Sequence, residues 1–204
     1  MKKQVNTTVI IKSRMVKILK LQSALNFSHT LLKEIVKPGD VVVDATAGKG
    51  NDTLFLAQLV GERGHVYSFD IQAQATQLTQ RLVEQHQVEQ QTTVINDGHE
   101  NLTNYVKSPI TTAIFNLGYL PEGDHKIVTK PQTTLKSVQS MMKLLKPNGI
   151  IILVIYYGHP GGKQEKEQVL QFSKSIDQHQ FNVLQYQFIN QIHEPPILLA
   201  LQKR

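Results

Sequence analysis

Residues Val41–Thr53 read VVVDATAGKGNDT, an apolar strand that runs into a glycine turn and then into the start of a helix. Open α/β sheets use this arrangement to build a nucleotide-cofactor pocket. The glycines let the backbone approach the ligand, and the helix N-terminus offers free N–H groups. Asp70 ends the next apolar run, HVYSFD, at the spacing of ~20 residues expected for a ribose-binding carboxylate. The stretch therefore predicts a cofactor pocket.

The glycine turn departs from the dinucleotide-binding fingerprint G-x-G-x-x-G, because Thr53 stands where the third glycine is expected. Asp44 precedes the turn, and a carboxylate there is unfavourable beside a pyrophosphate but suits a cationic ligand. S-adenosylmethionine (SAM) carries an ammonium and a sulfonium group and no phosphate. We therefore favour a SAM pocket over a dinucleotide pocket, and a strand–helix turn without a ligand is the third interpretation.

Apolar, β-branched runs alternate with helical patterns along the chain. This alternation predicts an α/β fold, a Rossmann-like, doubly wound and mostly parallel sheet of about seven strands with an antiparallel last strand. Lys146–Gly149, KPNG, is expected to end a helix before the fifth strand. The predicted strands are Val41–Asp44, His65–Asp70, Thr92–Ile95, Thr111–Leu117, Ile150–Tyr157, Phe181–Phe188 and Ile197–Leu201. The predicted helices are Ser28–Val36, Asn51–Val60, Ala73–His86, Gln132–Leu145 and Lys163–His179.

Length and composition indicate one ordinary globular domain over residues 1–204, with residues 1–27 as a basic N-terminal extension. The chain has no cysteine, which excludes disulfides, thiolate catalysis and cysteine-ligated metals. The longest apolar run, Ile150–Ile155, is too short to span a membrane, and no signal peptide is recognisable, so a cytoplasmic location is expected. The net charge of +6 suits a polyanion such as RNA, or is an ordinary solvated surface.

Three further segments are candidates for contact with the cofactor. Asp70 either accepts the ribose hydroxyls or caps the following helix, and Asp97 or His99 either meets the adenine or caps a helix. Asn26, Ser28 and His29 lie where an N-terminal segment can fold over the cofactor. The predicted cofactor-binding residues are Asn26, Ser28, His29, Asp44, Thr46, Ala47, Gly48, Gly50, Asn51, Asp52, Thr53, Asp70, Ile71, Gln72, Asp97, Gly98 and His99.

The fourth and fifth strands end in segments that are candidates for the acceptor side. In FNLGYLP, Asn116 can accept a hydrogen bond from an amine and Tyr119 can stack on a base; a buried turn is the alternative. In YYGHPGGK, His159 is a third catalytic candidate, with a plain turn residue as the alternative. The predicted substrate-binding residues are Leu117, Gly118, Tyr157, Gly161, Gly162 and Lys163. The histidines show no metal-ligand spacing, so no metal is predicted.

Four segments together resemble one family: SALNFSHTLLKEIVKPGDVVVDATAGKGNDTLFLA, FNLGYLP, YYGHPGGKQEKE and PPILLALQK. They are similar to the small bacterial methyltransferases named rRNA methylases, some of which are tRNA 5-(aminomethyl)-2-thiouridine methyltransferases. The resemblance extends from about Leu25 to Lys203. It implies the class I methyltransferase fold, SAM as the cofactor, and the anticodon region of tRNA as the partner. Homodimer formation is compatible with the sequence.

The reaction that the resemblance implies is methylation of the aminomethyl nitrogen of 5-aminomethyl-2-thiouridine at the wobble position, giving 5-methylaminomethyl-2-thiouridine. Leu117 and Gly118 replace the prolines of the (D/N)-P-P-(Y/F) motif of amino-group methyltransferases, so equivalence with the adenine-N6 enzymes is not implied. Other interpretations stay open. They are a methyltransferase acting on rRNA or a small molecule, an NAD-dependent oxidoreductase, and a non-catalytic RNA-binding module.

Overall fold

The computed structural model describes residues 21–120 and 127–204. Within them, seven strands form one sheet: β1 Val41–Asp44, β2 His65–Phe69, β3 Thr92–Ile95, β4 Ile110–Leu117, β5 Leu145–Ile155, β6 Phe181–Tyr186 and β7 Ile197–Lys203. The helices are α1 Ala24–Ile35, α2 Asn51–Val60, α3 Ala73–Gln85, α4 Pro131–Leu144 and α5 Gly162–Ser175, with 3₁₀ segments at Glu89–Gln91 and His99–Asn104.

The strand order in the sheet is β3-β2-β1-β4-β5-β7-β6. Strands β1 to β5 pair in parallel, while β7 runs antiparallel to both β5 and β6. This arrangement confirms the predicted mostly parallel sheet with an antiparallel last strand. The order reverses between β1 and β4, and in open α/β sheets a ligand crevice forms outside the carboxyl ends of the strands at such a point.

Helices cover both faces of the sheet, which is why its central strands are apolar throughout. Leu32, Leu56 and Val83, from α1, α2 and α3, are buried on one face against β-strand residues such as Ile114. On the other face, the 3₁₀ segment at His99–Asn104 and helices α4 and α5 cover a second core. That core contains Phe69, Leu102, Phe115, Met141, Leu153 and Val169. These two cores hold the strand ends, and therefore the crevice, in place.

The largest difference from the predicted elements is at KPNG. These residues do not separate α4 from β5, because Leu145 already pairs with Ile110 and Ile150 pairs with Thr112. Residues 146–149 therefore bulge out of a strand that began earlier than predicted, and Asn148 adopts a φ of 63° within the bulge. The Lys146 ammonium donates to Asp40 Oδ1 at 3.0 Å, which ties the bulge to the turn before β1.

The predicted start of the first helix also differs from the structure. Residues 1–20 of the predicted basic extension lie outside the described residues. Helix α1 begins at Ala24, not at Ser28, because the Ser23 hydroxyl accepts the Asn26 N–H at 3.2 Å and caps the helix. None of the helices in the described ranges is long and apolar enough to cross a membrane.

Candidate active site

A cleft of about 630 Å³ opens at the carboxyl ends of β1, β2 and β4. Its walls are the loop after β1, the segments that follow β2, β3, β4 and β5, one side of α1, and residues 127–130 before α4. The cleft lies where the strand order reverses, at the position that the glycine turn and Asp70 predicted.

The glycine loop forms the floor of the cleft. Gly48 and Gly50 adopt φ angles of 54° and 85°, which side chains other than glycine disfavour. A Cβ on Gly50 would lie 2.9 Å from the Cα of Thr79 on α3, so glycine is required for this close approach. The Ala47 N–H donates to the Phe69 carbonyl at 2.8 Å and ties the loop to the end of β2.

Asp44 lies beneath the loop and not on its rim. Its side chain is fully buried and accepts hydrogen bonds from the Thr53 hydroxyl at 2.6 Å and the Thr46 N–H at 3.1 Å. Burial and the negative charge of Asp52 raise the pKa of Asp44 to about 7, against the opposing effect of these hydrogen bonds. Asp44, which we predicted as a cofactor contact, therefore lies beneath the cleft wall and does not line the cleft.

Asp70 connects two parts of the cleft wall. Its Oδ2 accepts the Gly48 N–H at 2.9 Å, and its Oδ1 accepts the Gln72 N–H at 2.9 Å. A carboxylate oxygen can accept more than one hydrogen bond, so lone pairs are left for a ligand in the cleft that Asp70 lines. The two interpretations of Asp70, a turn cap and a ribose acceptor, are thus compatible with each other.

Asp97 and His99 both line the cleft, and neither side chain caps the 3₁₀ segment at His99–Asn104. Asp97 accepts hydrogen bonds from the Asn101 amide, the Tyr105 hydroxyl and the Gly98 N–H, and these lower its pKa. The His99 ring is buried, with Nδ1 3.0 Å from the Ala45 carbonyl. Burial lowers the pKa of His99, so the neutral ring donates from Nδ1 to that carbonyl, and its buried Nε2 has no partner among the described residues.

Asp52, in the first turn of α2, joins two predicted site residues. Its Oδ1 lies 2.6 Å from Nε2 of His29 on α1, and its Oδ2 accepts from Nδ2 of Asn116 at 2.6 Å. Asn116 ends β4, and its backbone N–H donates to the Thr46 hydroxyl at 2.7 Å. All of these residues line the cleft. The carboxylate of Asp52 therefore links the cofactor loop to the predicted acceptor side.

The loop after β4 is held by a buried carboxyl group on α5. Gly118 N–H donates to the Thr129 hydroxyl at 3.0 Å, and that hydroxyl donates to Glu165 at 2.6 Å. Thr134 donates to the other oxygen of Glu165 at 2.8 Å. Burial raises the pKa of Glu165 against the effect of both threonines. This network positions residues 127–130 and Tyr119 at the mouth of the cleft.

The two tyrosines after β5 point in opposite directions. Tyr156 lines the cleft, where burial and the charge of Asp52 raise its pKa. Tyr157, which we predicted as a substrate contact, is buried in the core with the Lys166 ammonium 3.8 Å from its ring centroid. Side chains alternate between the two faces of a strand, and this alternation is the signal that separates the two residues.

The other predicted residues of this segment lie beside the cleft. His159 packs edge-on against the Tyr119 ring at 5.7 Å and contacts Pro160 and not the cleft. Gly161 caps α5 and Gly162 begins it, with His159 Nε2 2.8 Å from where a Gly162 Cβ would lie. Lys163 is exposed and pairs with Glu194 at 2.6 Å.

Fourteen predicted site residues line the cleft: His29, Thr46, Ala47, Gly48, Asn51, Asp52, Asp70, Ile71, Gln72, Asp97, His99, Asn116, Gly118 and Tyr119. The others do not: Asn26, Ser28, Asp44, Gly50, Thr53, Gly98, Leu117, Tyr157, His159, Gly161, Gly162 and Lys163. Ser28 and Leu117 are fully buried, and Ser28 donates to the Leu25 carbonyl. Residues that we did not predict include Leu25, Lys49, Glu100, Leu120, Thr129, Lys130 and Thr133.

The charges of the site fit a cationic ligand. Asp44, Asp52 and Asp70 surround the glycine loop, and the negative charges of the other two contribute to the raised pKa of Asp44. A sulfonium or an ammonium group relieves this repulsion, whereas a diphosphate adds to it. Within the described ranges, no group of three or more His, Asp or Glu side chains is arranged to hold a metal ion. The residues present therefore fit SAM and not a dinucleotide.

Comparison with known proteins agrees with this chemistry. The family model "Putative rRNA methylase" matches residues 66–202. A relative from Arabidopsis thaliana, tRNA (mnm(5)s(2)U34)-methyltransferase, chloroplastic, is 34% identical in an alignment of 193 residues that covers 90% of this chain and 70% of the relative. The chain belongs to the rRNA methylase family. Residues 15–114 also match the model of protein-L-isoaspartate(D-aspartate) O-methyltransferase.

Solved structures of rRNA methylase relatives share the fold over most of the chain. A putative rRNA-methylase from Clostridium thermocellum is 48% identical with a TM-score of 0.90, covering 91% of this chain and 100% of that one. A putative methyltransferase from Streptococcus mutans, in complex with SAH, is 38% identical with a TM-score of 0.84 and the same coverage. The chain is therefore a SAM-dependent methyltransferase with the class I fold.

Proposed function

We propose that this rRNA methylase family member methylates the aminomethyl nitrogen of 5-aminomethyl-2-thiouridine at the wobble position of tRNA, giving 5-methylaminomethyl-2-thiouridine. The observation that carries the proposal is the 34% identity, across 90% of the chain, to a tRNA (mnm(5)s(2)U34)-methyltransferase. Asn116 supports an amine as the acceptor, because its amide oxygen is available beside the cleft once its nitrogen donates to Asp52.

We assign the cofactor to the glycine-loop side of the cleft. Backbone groups of residues 46–49 offer close contact, and Asp70 would accept the ribose hydroxyls. SAM supplies an activated methyl group on a sulfonium sulfur, so the protein contributes mainly alignment of the acceptor, which is worth up to ~7–11 kcal/mol. His99 supports the loop through the Ala45 carbonyl.

We assign the modified base to the mouth of the cleft. Tyr119 and Tyr156 are 41% and 38% exposed there, so their rings are accessible for stacking on a flipped-out base. Lys130 is exposed at the same wall, at the start of α4, where it can meet a phosphate. Stacking and charge together suit an unpaired anticodon nucleotide, and a small neutral metabolite would need neither.

The test is incubation of the protein with methyl-labelled SAM and tRNA that carries 5-aminomethyl-2-thiouridine, followed by digestion to nucleosides. We expect the label in 5-methylaminomethyl-2-thiouridine and in no other nucleoside. The same tRNA without the aminomethyl group is the control and should take up no label. Label that is absent from the wobble nucleoside would refute the proposed substrate.

Methylation of ribosomal RNA is the second candidate, and the description of the matched family favours it. A parallel incubation with ribosomal RNA separates the two. Transfer to ribosomal RNA at a rate above that to tRNA would replace our proposal, whereas transfer to neither, with bound SAM, would indicate a small-molecule acceptor.

A further inference from the structure

His29, Asp52 and Asn116 form a compact group, the Asp52 cluster, with members on α1, on α2 and at the end of β4. Both oxygens of the Asp52 carboxylate contact a nitrogen at 2.6 Å, Nε2 of His29 and Nδ2 of Asn116. The Asp52 side chain is only 9% exposed and that of His29 is 29% exposed. Short contacts of this kind to a shielded carboxylate are charge-assisted hydrogen bonds.

The carboxylate of Asp52 decides how the Asn116 amide is oriented. Only the NH₂ group of the amide can face Oδ2 at 2.6 Å, because the amide oxygen would repel a carboxylate oxygen at that distance. The Asn116 backbone is held separately by the Thr46 hydroxyl. The amide oxygen is therefore fixed on the side away from Asp52 and can accept a hydrogen bond from an amine in the cleft.

The same carboxylate decides which nitrogen of His29 carries the proton. A carboxylate only accepts, so the neutral ring donates from Nε2 and has its lone pair on Nδ1. The ring stacks on Phe55 with centroids 4.2 Å apart and planes inclined by 14°, which fixes its plane. This combination of an orienting carboxylate and a neutral imidazole is the arrangement of a general base in enzymes that transfer a proton through histidine.

We propose that the Asp52 cluster activates the acceptor amine: Asn116 orients it through its amide oxygen, His29 takes its proton on Nδ1, and Asp52 positions both. Net, the acceptor nitrogen exchanges one proton for the methyl group, the sulfonium becomes a neutral thioether, and the proton passes to His29 Nδ1. Asp52 then stabilises the resulting imidazolium. This proposal rests on the proposed function in requiring an amine acceptor, and it moves His29 and Asp52 from the cofactor side, where we predicted them, to the acceptor side.

The predicted cofactor-side role of His29 and Asp52 and the acceptor-side role proposed here make opposite predictions for cofactor binding. We expect Asp52→Asn and His29→Ala to reduce kcat by about 10²-fold or more, the range of general acid–base catalysis. The Kd for S-adenosylhomocysteine (SAH), measured by calorimetry, should change by less than about threefold, because neither residue contacts the cofactor in this proposal. Loss of a contact worth 1.4 kcal/mol would raise this Kd about tenfold. Unchanged SAH binding also shows that each variant is folded. A rise in Kd that matches the fall in kcat would overturn the proposal in favour of a cofactor contact.

Added imidazole provides a second measurement on His29→Ala. It should restore part of kcat in this variant, and it should leave the wild type and His179→Gln unaffected. His179 is an exposed residue in the turn after α5 and serves as the matched histidine control. Full kcat of His29→Ala without imidazole would refute the role of the histidine.

The protonated nitrogen of His29 can be observed without any acceptor. In ¹⁵N-histidine-labelled wild-type protein, we expect the ring ¹⁵N shifts of His29 to show the Nε2–H tautomer, and Asp52→Asn should disturb it. An Nδ1–H tautomer in the wild type would overturn the proposal. Failure of this proposal can thus be told apart from failure of the proposed substrate. The tautomer is measured without an acceptor, whereas protein that does not methylate tRNA refutes the proposed substrate alone.

Discussion

Thr53 is the residue at which the glycine turn differs from a dinucleotide-binding turn, and its side chain accounts for the difference. Its hydroxyl is buried, donates to Asp44 at 2.6 Å and contacts the Ser68 hydroxyl at 2.6 Å. A glycine here would leave the Asp44 carboxyl group without that hydrogen bond in a fully buried site, which is costly. Thr53 and Asp44 therefore form one unit that a pyrophosphate site does not contain.

Asp70 is expected to be the strongest single contributor to cofactor affinity. Replacement of Asp70 by alanine removes charge-assisted hydrogen bonds worth ~1.5–3 kcal/mol to the ligand, along with its bonds to Gly48 and Gln72. SAM affinity should fall tenfold or more, as measured by calorimetry. Asp177→Asn is the control, because Asp177 caps its turn through the His179 N–H in the same way outside the cleft. Unchanged SAM binding by the Asp70 variant would refute the ribose role.

Asp44 is expected to make stability depend on pH. Because its pKa in the folded protein, about 7, lies above the unfolded value of 3.8, its stabilising contribution is fully present below pH 3.8 and is lost as the pH rises through 7. Asp44→Asn lacks this titration. The free energy of unfolding of the wild type, relative to this variant, should therefore fall between pH 5 and pH 8 in urea titrations.

Asp40→Asn is the matched control for that series. Burial alone would raise the pKa of Asp40, but hydrogen bonds from Thr111, Lys37 and Lys146 lower it. Its contribution is therefore present above the unfolded value and is lost only at more acidic pH, so the difference from wild type should stay constant between pH 5 and pH 8. The same constancy for Asp44→Asn would contradict the raised pKa of Asp44.

At the scale of elements, local signals were sufficient for the strand–turn–helix unit and tertiary contacts decided the rest. Val41–Asp44 and Asn51–Val60 have the predicted bounds, because apolar continuity and glycine position both lie within one short stretch. Helix α4 ends within one residue of its predicted end, but β5 begins at Leu145 and not at Ile150, since pairing of Leu145 with Ile110 overrides the turn propensity of Pro-Asn-Gly. Tyr157 and Ser28 are buried because of the face they occupy, which a residue type alone does not specify.

The segment 127–130 was missed for a different reason. It carries no glycine turn, and it is held at the cleft by hydrogen bonds between Thr129 and Gly118 and by the distant carboxyl group of Glu165 on α5. Glu165 accepts from the hydroxyls of Thr129 and Thr134. Contacts between residues 31 and 36 positions apart leave no periodic signal in a sequence. Fold class and the cofactor side of the cleft were therefore predictable, while part of the acceptor side was not.

Thr129→Val tests whether this network serves the acceptor side. The variant keeps the branched shape of the side chain but leaves Gly118 N–H and Glu165 each without one hydrogen-bond partner, at a cost of ~1–3 kcal/mol. We expect a higher KM for the RNA acceptor with the Kd for SAH unchanged. Thr93→Val, on the distant strand β3, should change neither quantity. A higher Kd for SAH with unaltered KM would place the loop on the cofactor side.

At the scale of the whole molecule, the distribution of charge separates the two ligands. The net charge is +6, yet the carboxylates of Asp52 and Asp70 line the cleft beside the glycine loop, with Asp44 buried beneath it. Lys130 lines the same cleft, directly before α4. A cationic cofactor and a polyanionic substrate can thus be attracted to different parts of one cleft, since electrostatic potentials act locally at this scale.

This separation predicts that salt weakens the binding of RNA and leaves the binding of the cofactor unchanged. Because binding to RNA releases counterions in proportion to the phosphates contacted, the KM for tRNA should rise about tenfold or more between 50 and 200 mM salt. The Kd for SAH, a ligand without phosphate, should change little. Lys130→Gln should raise the KM for tRNA at low salt and reduce the slope of its logarithm against the logarithm of salt concentration by about one.

Lys143→Gln supplies the comparison for Lys130→Gln, since Lys143 is exposed in the last turn of the same helix, at the end away from the cleft. Both variants remove one positive charge, so a long-range effect of net charge would change the KM for tRNA and its salt slope equally in the two. Loss of a local phosphate contact at the cleft mouth would change these quantities in Lys130→Gln alone. Equal salt slopes for the two variants would therefore show that the RNA is attracted by the overall charge of the molecule and not by this wall of the cleft.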